Sequence, residues 1–428
     1  MSPGPAYRSF GTSWIEAPLP PVPPGEPASW LLLTDEHPVA LGRAVALALA
    51  LAEAGDEALS LPQDDLGELA AFVAERRVRG VVFLTGAPHA YHDPEDAQDL
   101  LLSVLSVVAR LGPGVRLHLV TQSSGEPGLV FLRGLVRALA FDRPGLRASL
   151  VDCDARSEVE VLVRELRSDA PDDEVRWRHD VRYAARLTRV PLAGGVPAGP
   201  GAYAITGGFG VLGQATARRL ADGGATRIVL CGRHGGPVAL PGVDVVAVTG
   251  DIAEPGVAER LVAAATADGL RLRGIVHTPG SRWRAKVLGA CRLHEATADT
   301  PPDWWLLYSS SAALFGAPGR TAAATADAWL DAFAAWRRSR GLPATTVNWG
   351  PWTADPLLDP MTLTEGLEAL PAVLASGLPS VGIARLDTAR VAARYPELTR
   401  RPFFSALLGE PEPPDSDPAI PRRPVNHA

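Results

Sequence analysis

Short apolar runs alternate along this chain with longer segments in which apolar residues recur every three or four positions. The apolar runs of the first half are Trp30–Thr34, Val81–Thr85, Arg116–Thr121 and Ala148–Asp152. The helical patterns between them include Ala40–Ala54, Pro94–Leu111 and Leu129–Ala140. Strands that alternate with amphipathic helices predict a parallel sheet with helices on its faces.

The same alternation begins again after Val190–Gly201, a stretch rich in proline and glycine. The strands expected in the second half are Ala202–Thr206, Arg227–Leu230, Val243–Val248, Gly274–His277, Trp305–Ser309 and Thr345–Val347. We therefore predict an α/β protein with two Rossmann-like subdomains, each built on a doubly wound parallel sheet.

The two halves start alike, since Trp30–Gly55 and Ala202–Gly224 both follow the order strand, turn, helix. Only the second half has glycines in the turn. In the first half Asp35, Glu36 and Pro38 occupy the turn, and two carboxylates at that place would repel a pyrophosphate. The first half is therefore expected to be structural, and the second half to bind a nucleotide.

These patterns divide the chain into four segments. Residues 1–189 are expected to form a structural, degenerate Rossmann-like subdomain, and residues 190–201 a linker. Residues 202–408 are expected to form the catalytic-like, nucleotide-binding subdomain. Residues 409–428, rich in proline and acidic side chains, are expected to be a disordered tail.

Composition argues against several classes of function. The net charge of −7 opposes nucleic-acid binding, which requires clustered positive charge. The longest apolar run, Ala44–Ala52, is far shorter than the ~18 residues that cross a bilayer, so no membrane span is expected. An N-terminus without an export signal and only 3 scattered cysteines predict a cytoplasmic protein. The 9 histidines show no metal-ligand spacing, so no metal is expected.

Among the 41 basic residues, Lys286 is the only lysine. The abundance of Arg, Gly, Pro and Ala indicates a sequence in which arginine has replaced lysine wherever the chemistry allows. Arginine cannot replace a compact ammonium whose pKa must be tunable. The position of Lys286 therefore indicates a site whose chemistry requires a lysine. The alternative is that this lysine was retained by chance.

A glycine-rich turn lies between the strand Ala202–Thr206 and the helix that follows it. Glycines let the backbone approach a phosphate, and the helix N-terminus supplies N–H donors and partial positive charge. The candidate residues are Thr206, Gly207, Gly208, Gly210, Leu212 and Gly213. A glycine turn kept for close packing of helix and strand is the alternative.

Two further residues bear on the identity of the nucleotide. Arg233 follows the next strand, where a site for NAD usually has an acid, so it favours the 2′-phosphate of NADPH. Asp251 follows the third strand and is a candidate to accept hydrogen bonds from adenine. An ordinary surface carboxylate is an equally open interpretation of Asp251.

Several motifs occur together and in a fixed order. Glu126–Asp154 and Glu174–Thr188 lie in the first half, followed by TGGFGVLG, CGRHG, GDI, RAKV, YSSSAALFGAPG and AWLDAFAAWRRSRGLPATTVNWGPW. Over about residues 5–408 the chain resembles the ketoreductases of modular polyketide synthases, an extended branch of the short-chain dehydrogenases. The resemblance implies reduction by NADPH of a β-ketoacyl group carried on an acyl carrier protein. In that family a tyrosine protonates the carbonyl oxygen, a serine hydrogen-bonds it, and a lysine assists.

The resemblance carries only part of this catalytic set onto the chain. Lys286 in RAKV matches the lysine, which is also expected to contact NADPH, and Ser310 matches the serine. Ala323 stands at the tyrosine position, and Asp327 replaces the asparagine of the family. A methyl group donates no proton, and loss of a general acid typically costs ~10²–10⁴-fold in rate.

Two segments beside the substrate cleft are shorter than the family pattern implies. His277–Lys286 leaves no room for the helix that usually precedes the lysine. Thr353–Leu363, with two prolines and no helical period, stands where the family usually has a lid helix.

Other side chains could replace the missing proton donor. Tyr308 lies on a strand at a position where the family packs an aromatic ring inward, so core packing is favoured. Asp327 lies one helical turn after Ala323 and could reach Lys286. One interpretation is an ion pair that stabilises the pocket, and the other is an acid or base for a non-redox step.

The leading hypothesis is a free-standing, ketoreductase-like protein of polyketide biosynthesis that is redox-inactive. Epimerisation, dehydration or cyclisation of a polyketide acyl intermediate is the non-redox activity considered, with Lys286, Ser310 and Asp327 as its candidate residues. The alternatives are an active NADPH-dependent reductase with a relocated proton donor, and a non-catalytic scaffold. An acyl carrier protein or a polyketide synthase is the expected partner.

Overall fold

The computed structural model describes residues 7–20, 27–34, 37–62, 69–76, 78–86, 94–122, 127–154, 159–195, 198–280, 282–396 and 398–408. The predicted tail 409–428 and the two turn carboxylates Asp35 and Glu36 lie outside these residues.

The first half contains the following strands: β1 Arg8–Glu16, β2 Ser29–Thr34, β3 Glu57–Pro62, β4 Gly80–Leu84, β5 Arg116–Thr121, β6 Arg147–Cys153, β7 Glu174–Arg178 and β8 Val181–Arg189. Its helices are α1 Pro38–Glu53, α2 Leu69–Glu75, α3 Pro94–Arg110, α4 Pro127–Val130, α5 Leu132–Asp142 and α6 Val159–Arg167. The pattern Leu129–Ala140, expected to be one helix, is divided at Phe131, whose carbonyl accepts from Gly134 N with three-residue spacing.

The second half contains these strands: β9 Ala202–Thr206, β10 Arg227–Gly232, β11 Asp244–Thr249, β12 Leu272–His277, β13 Trp304–Ser310, β14 Thr345–Trp349 and β15 Ser380–Ala384. Its helices are α7 Val211–Asp222, α8 Val257–Thr266, α9 Trp283–Ala296, α10 Ser311–Phe315, α11 Thr321–Ser339, α12 Leu363–Glu368, α13 Leu370–Ala375, α14 Thr388–Arg394 and α15 Pro402–Leu408. None of the helices in the described ranges combines the length and apolar character needed to cross a membrane.

The described strands form one 15-stranded sheet in the order β11-β10-β9-β12-β13-β14-β15-β1-β8-β7-β6-β5-β4-β2-β3. The strands from β11 to β15 are parallel, as are those from β7 to β3. The predicted α/β class with two Rossmann-like parts is confirmed. β1 pairs antiparallel with both β15 and β8 and so joins the two parallel parts into one sheet.

Helices on both faces bury the parallel strands. β4, β9 and β14 are buried along their whole length. This burial explains why the strands read as continuous apolar runs rather than as alternating patterns.

Arg137 of α5 connects the two halves in the interior. Its guanidinium donates to both carboxylate oxygens of Glu174 on β7, with Nη2 3.0 Å from Oε2. Nη1 donates to the carbonyl of Ala313 on α10 at 2.8 Å, and the guanidinium lies 4.4 Å from the ring centre of Phe403 on α15. The Arg137 guanidinium therefore contacts elements of both halves of the chain.

Breaking this pair should strongly destabilise the protein. The side chains of Arg137 and Glu174 are only 4% and 2% exposed, so Glu174→Gln leaves a buried cation without a counter-charge. We expect a loss of about 3–5 kcal/mol in the free energy of unfolding, measured by urea denaturation. Glu254→Gln breaks the exposed pair with Arg284 and should cost about 0–1 kcal/mol. Equal losses in the two variants would contradict this assignment.

Candidate functional site

The glycine turn between β9 and α7 has no room for side chains. Gly207 adopts φ +63°, and a Cβ at this position would collide with the carbonyl oxygen of Thr278. At Gly213 a Cβ would collide with the carbonyl oxygen of Gly207, so the helix begins directly against the turn. The glycines thus serve close packing and also leave the backbone open to a ligand.

The N-terminus of α7 presents free N–H donors. Its N-cap residue is Gly210, which provides no side-chain cap, and the first bond of the helix runs from Gln214 N to Gly210 O. Within the described ranges the N–H groups of Val211, Leu212 and Gly213 have no hydrogen-bond partner. An open turn, free N–H groups and the helix dipole together suit a phosphate. The residues present therefore fit a nucleotide pyrophosphate.

Arg233 and Asp251 lie at the same edge of the sheet as this turn. Arg233 is exposed just after β10, the neighbour of β9. Asp251 follows β11 and is half-buried, and its Oδ1 accepts from Ala253 N at 3.0 Å. Both residues stand at carboxyl ends of parallel strands, where ligands of this architecture bind.

His277 links the glycine turn to the helix that carries the lysine. The ring is fully buried, and burial lowers its pKa to about 4, so the imidazole is neutral at neutral pH. Nε2 lies 3.0 Å from the carbonyl oxygen of Lys286, which can only accept, so Nε2 carries the proton. Nδ1 then accepts from the hydroxyl of Thr206 at 2.8 Å. This chain of bonds fixes Lys286 relative to the end of β9.

Lys286, Ser310 and Asp327 meet in one cluster. Lys286 Nζ contacts Asp327 Oδ1, and Ser310 Oγ donates to Asp327 Oδ2 at 2.6 Å. The side chains of Lys286 and Asp327 are 7% and 1% exposed. Asp327 thus reaches Lys286, as considered from the sequence, and one carboxylate receives both donors.

Burial dominates the electrostatics of the lysine. Burial, assisted by the Arg320 guanidinium, lowers the pKa of Lys286 from 10.5 to about 7. The Asp331 carboxylate opposes the shift by favouring the charged ammonium. Asp331 lies one turn after Asp327 on α11, and burial raises its own pKa to about 6.

Sequence reasoning missed the polar network beneath this cluster. Asn348 Nδ2 donates to Asp331 Oδ1 and to Ser309 Oγ, both at 3.0 Å, and Asn348 Oδ1 accepts from Ser380 at 2.8 Å. The available signal was the occurrence of Asn348 within a run of buried strand residues, since such an amide requires partners.

Ala323, which the resemblance places at the tyrosine position, is half-buried and lies one turn before Asp327. Tyr308 does not replace it. The Tyr308 hydroxyl is 3.0 Å from Thr216 Oγ1, its ring packs edge-on against Trp349, and burial raises the pKa of its phenol. Tyr308 is therefore a core residue, in agreement with the packing interpretation.

Both walls of the site are short. α9 begins at Trp283, soon after β12 ends, and Trp283 Nε1 donates to the carbonyl of Pro94 at 3.2 Å. The segment 353–362 contains no helix, and α12 then packs so closely that a Cβ at Gly366 would collide with Trp352. Across the described ranges, no three His, Cys, Asp or Glu side chains converge as a metal site would require.

Comparison with known proteins agrees with this geometry. Residues 201–354 match the model of the KR domain. The fold matches the structure of the first ketoreductase of the tylosin polyketide synthase with a TM-score of 0.77 and 26% identity, over 93% of this chain and 96% of that chain. This chain contains a KR domain. A similar match joins this KR chain to the ketoreductase from the first module of phoslactomycin biosynthesis in Streptomyces sp. HK803, with a TM-score of 0.72 and 25% identity over 92% of this chain and 97% of that chain.

Curated relatives of the KR chain are large synthases. It is 36% identical over 479 positions to a component of the phenolphthiocerol/phthiocerol polyketide synthase of Mycobacterium tuberculosis, covering 94% of this chain and 26% of the relative. It is 45% identical over 178 residues to the phthioceranic/hydroxyphthioceranic acid synthase of Mycobacterium bovis, covering 36% of this chain and 8% of the relative. The KR chain thus spans about a quarter of the length of the first relative. The first alignment is longer than the 428 residues of the chain, so the relative has residues that this chain lacks.

The single lysine of this KR chain permits a direct titration. In protein labelled with ¹³C-lysine, the one side-chain signal should titrate near pH 7 instead of near 10.5. Between these values the folded state binds fewer protons than the unfolded state, so this group makes folding more favourable as pH rises. Asp327→Asn removes an opposite charge and should lower the midpoint further. Lys286→Met must abolish the signal, and a midpoint near 10.5 would show that burial does not control this group.

Proposed function

We propose that this KR domain acts in polyketide biosynthesis as a redox-silent member of its family, which holds NADPH but does not reduce a β-ketoacyl group. The observation that carries the proposal is the Asp327 carboxylate, which receives both Lys286 Nζ and the Ser310 hydroxyl. Ala323, which the resemblance places at the tyrosine position, carries only a methyl group and therefore provides no acid there.

Reduction of a ketone requires a proton donor at the carbonyl oxygen as well as a hydride, which NADPH supplies when bound. Ser310 has one hydroxyl proton, and it is directed to Asp327. Lys286 contacts the same carboxylate. The only hydroxyl proton of Ser310 is therefore engaged within the protein, and a substrate oxygen beside it would lack the serine hydrogen bond that reduction needs.

The same geometry favours a stabilising ion pair over a non-redox acid or base. A base that epimerises or dehydrates an acyl chain must reach a C–H bond of the substrate. Asp327 is 1% exposed, and both its oxygens are bonded to other side chains. We assign it to compensation of the buried Lys286 ammonium, which would otherwise have to be neutral or displaced.

The nucleotide site is the better-formed part of the domain. The turn from Thr206 to Gly213 would hold the pyrophosphate, Arg233 the 2′-phosphate, and Asp251 the adenine. The hydrogen bonds of His277 with the Thr206 hydroxyl and the Lys286 carbonyl hold Lys286 beside this site. Because curated relatives are polyketide synthases, we propose an acyl carrier protein or synthase as the partner and a polyketide acyl chain as the group presented.

NADPH fluorescence tests the two parts of the proposal separately. With protein in excess, the fluorescence should increase on binding and should persist after a β-ketoacyl thioester is added. A decay to the level of oxidised cofactor would overturn redox silence and support the relocated proton donor. A fluorescence that never increases would overturn NADPH binding and favour the scaffold alternative.

Restoration of activity should require two substitutions. Ala323→Tyr supplies the acid but leaves Asp327 bound to Ser310 and Lys286, so little reduction is expected. Ala323→Tyr with Asp327→Asn restores the family residues at both positions and should exceed the single variant by on the order of 10²-fold in kcat. Circular dichroism and NADPH affinity control for folding. Equal rates in the two variants, both well above wild type, would show that the tyrosine alone was limiting.

A further inference from the structure

The first half of the protein contacts the start of the helix that carries the site. Asp142, the last residue of α5, accepts from Gly319 N at 2.7 Å through Oδ1 and from Thr321 Oγ1 at 2.6 Å through Oδ2. Gly319 lies in the turn before α11, and Thr321 is the first residue of α11. One carboxylate thus binds both sides of the helix start.

α11 has no cap of its own. Its N-cap residue is Arg320, which makes no capping bond, and its first turn contains no acidic residue. A carboxylate at a helix N-terminus stabilises the helix by satisfying free donors and complementing the dipole. Asp142 places a carboxylate at this helix start from another part of the chain, bonded to the N–H of Gly319 before the cap and to the side chain of Thr321.

The place of Asp142 in its own helix supports the same interpretation. An acidic residue at a helix C-terminus is unfavourable for that helix, and α5 has no basic residue in its last turn. The carboxylate therefore gains nothing from α5. Its favourable interactions are those with the turn and first residue of α11.

The helix start is close enough to the site to control it. Asp327 lies six residues after Thr321, a rise of about 9 Å, and Ala323 lies between them. A Cβ at Gly134 of α5 would collide with the carbonyl oxygen of Ala324, so the two helix backbones touch along this stretch. α11 therefore has little freedom to turn about its axis while Asp142 holds its end.

We propose that Asp142 is a positioning residue of the site: by holding the first turn of α11, it keeps Asp327 against Lys286 and Ser310. The first half thereby sets the geometry of a cluster that the second half supplies. This inference is independent of whether the domain transfers hydride, because it concerns the contact between Asp327 and Lys286 alone.

The single lysine makes the inference measurable. Lys286 is 7% exposed, so an N-hydroxysuccinimide ester of acetic acid should modify it slowly in the native protein. Loss of a cap of typical strength should raise that rate about fivefold in Asp142→Ala, followed by mass spectrometry of the Lys286 peptide. The matched control is Asp387→Ala, which removes the cap of α14, where Asp387 Oδ1 accepts from Arg390 N at 2.9 Å. The control should leave the rate at Lys286 unchanged.

Thr321 provides a milder second test if Asp142→Ala fails to fold. Thr321→Val removes one donor to Asp142 without changing the volume and should raise the modification rate by about twofold, whereas Thr321→Ser should restore the wild-type rate. Unchanged rates in both Asp142→Ala and Thr321→Val would overturn the assignment. An equal increase in Asp142→Ala and Asp387→Ala would also overturn it, since general destabilisation would then explain the effect.

Discussion

Burying a cation is costly unless polar partners compensate it, and both the architecture and the site of this domain use a carboxylate for this purpose. In the interior, Glu174 is the counter-charge of Arg137, and a further donor of the guanidinium binds the carbonyl of Ala313. At the site, Asp327 is the counter-charge of Lys286 and also accepts a hydrogen bond from Ser310. The first pair lies within the first half, and its guanidinium reaches the second half through Ala313, while the second pair makes Lys286, Ser310 and Asp327 a closed set of mutual partners.

The closed set depends on a charged side chain at position 327. Without a phenol beside it, a buried ammonium has fewer polar neighbours, and an amide provides no counter-charge. Asp327 provides that charge on the same helix, one turn from Ala323. The short walls agree with this picture, because α12 packs against Trp352 instead of standing away from it as a lid would.

Local signals in the sequence predicted what local physics determines. The glycine turn and most strand positions follow from local steric demands, and the 3.6-residue period places Asp327 one turn after Ala323. The interactions that join distant parts were not predictable in this way. Asp142 and Thr321 are 179 positions apart, and β1 reaches β15 across most of the chain. Such pairings depend on where the folded halves meet, and the residue pattern within a single segment does not determine that place.

The position of β1 in the sheet has a consequence for how the chain assembles. β1 is the first described strand to leave a ribosome, and its partner β8 follows within the same half. Its other edge, however, pairs with β15, which is synthesised last of all the described strands. Throughout most of synthesis that edge would present unpaired backbone groups, the feature by which nascent sheets recruit wrong neighbours. A fragment that starts at the linker would lack β1 and would leave one edge of β15 unpaired in the same way. Neither half is therefore a natural unit for separate expression.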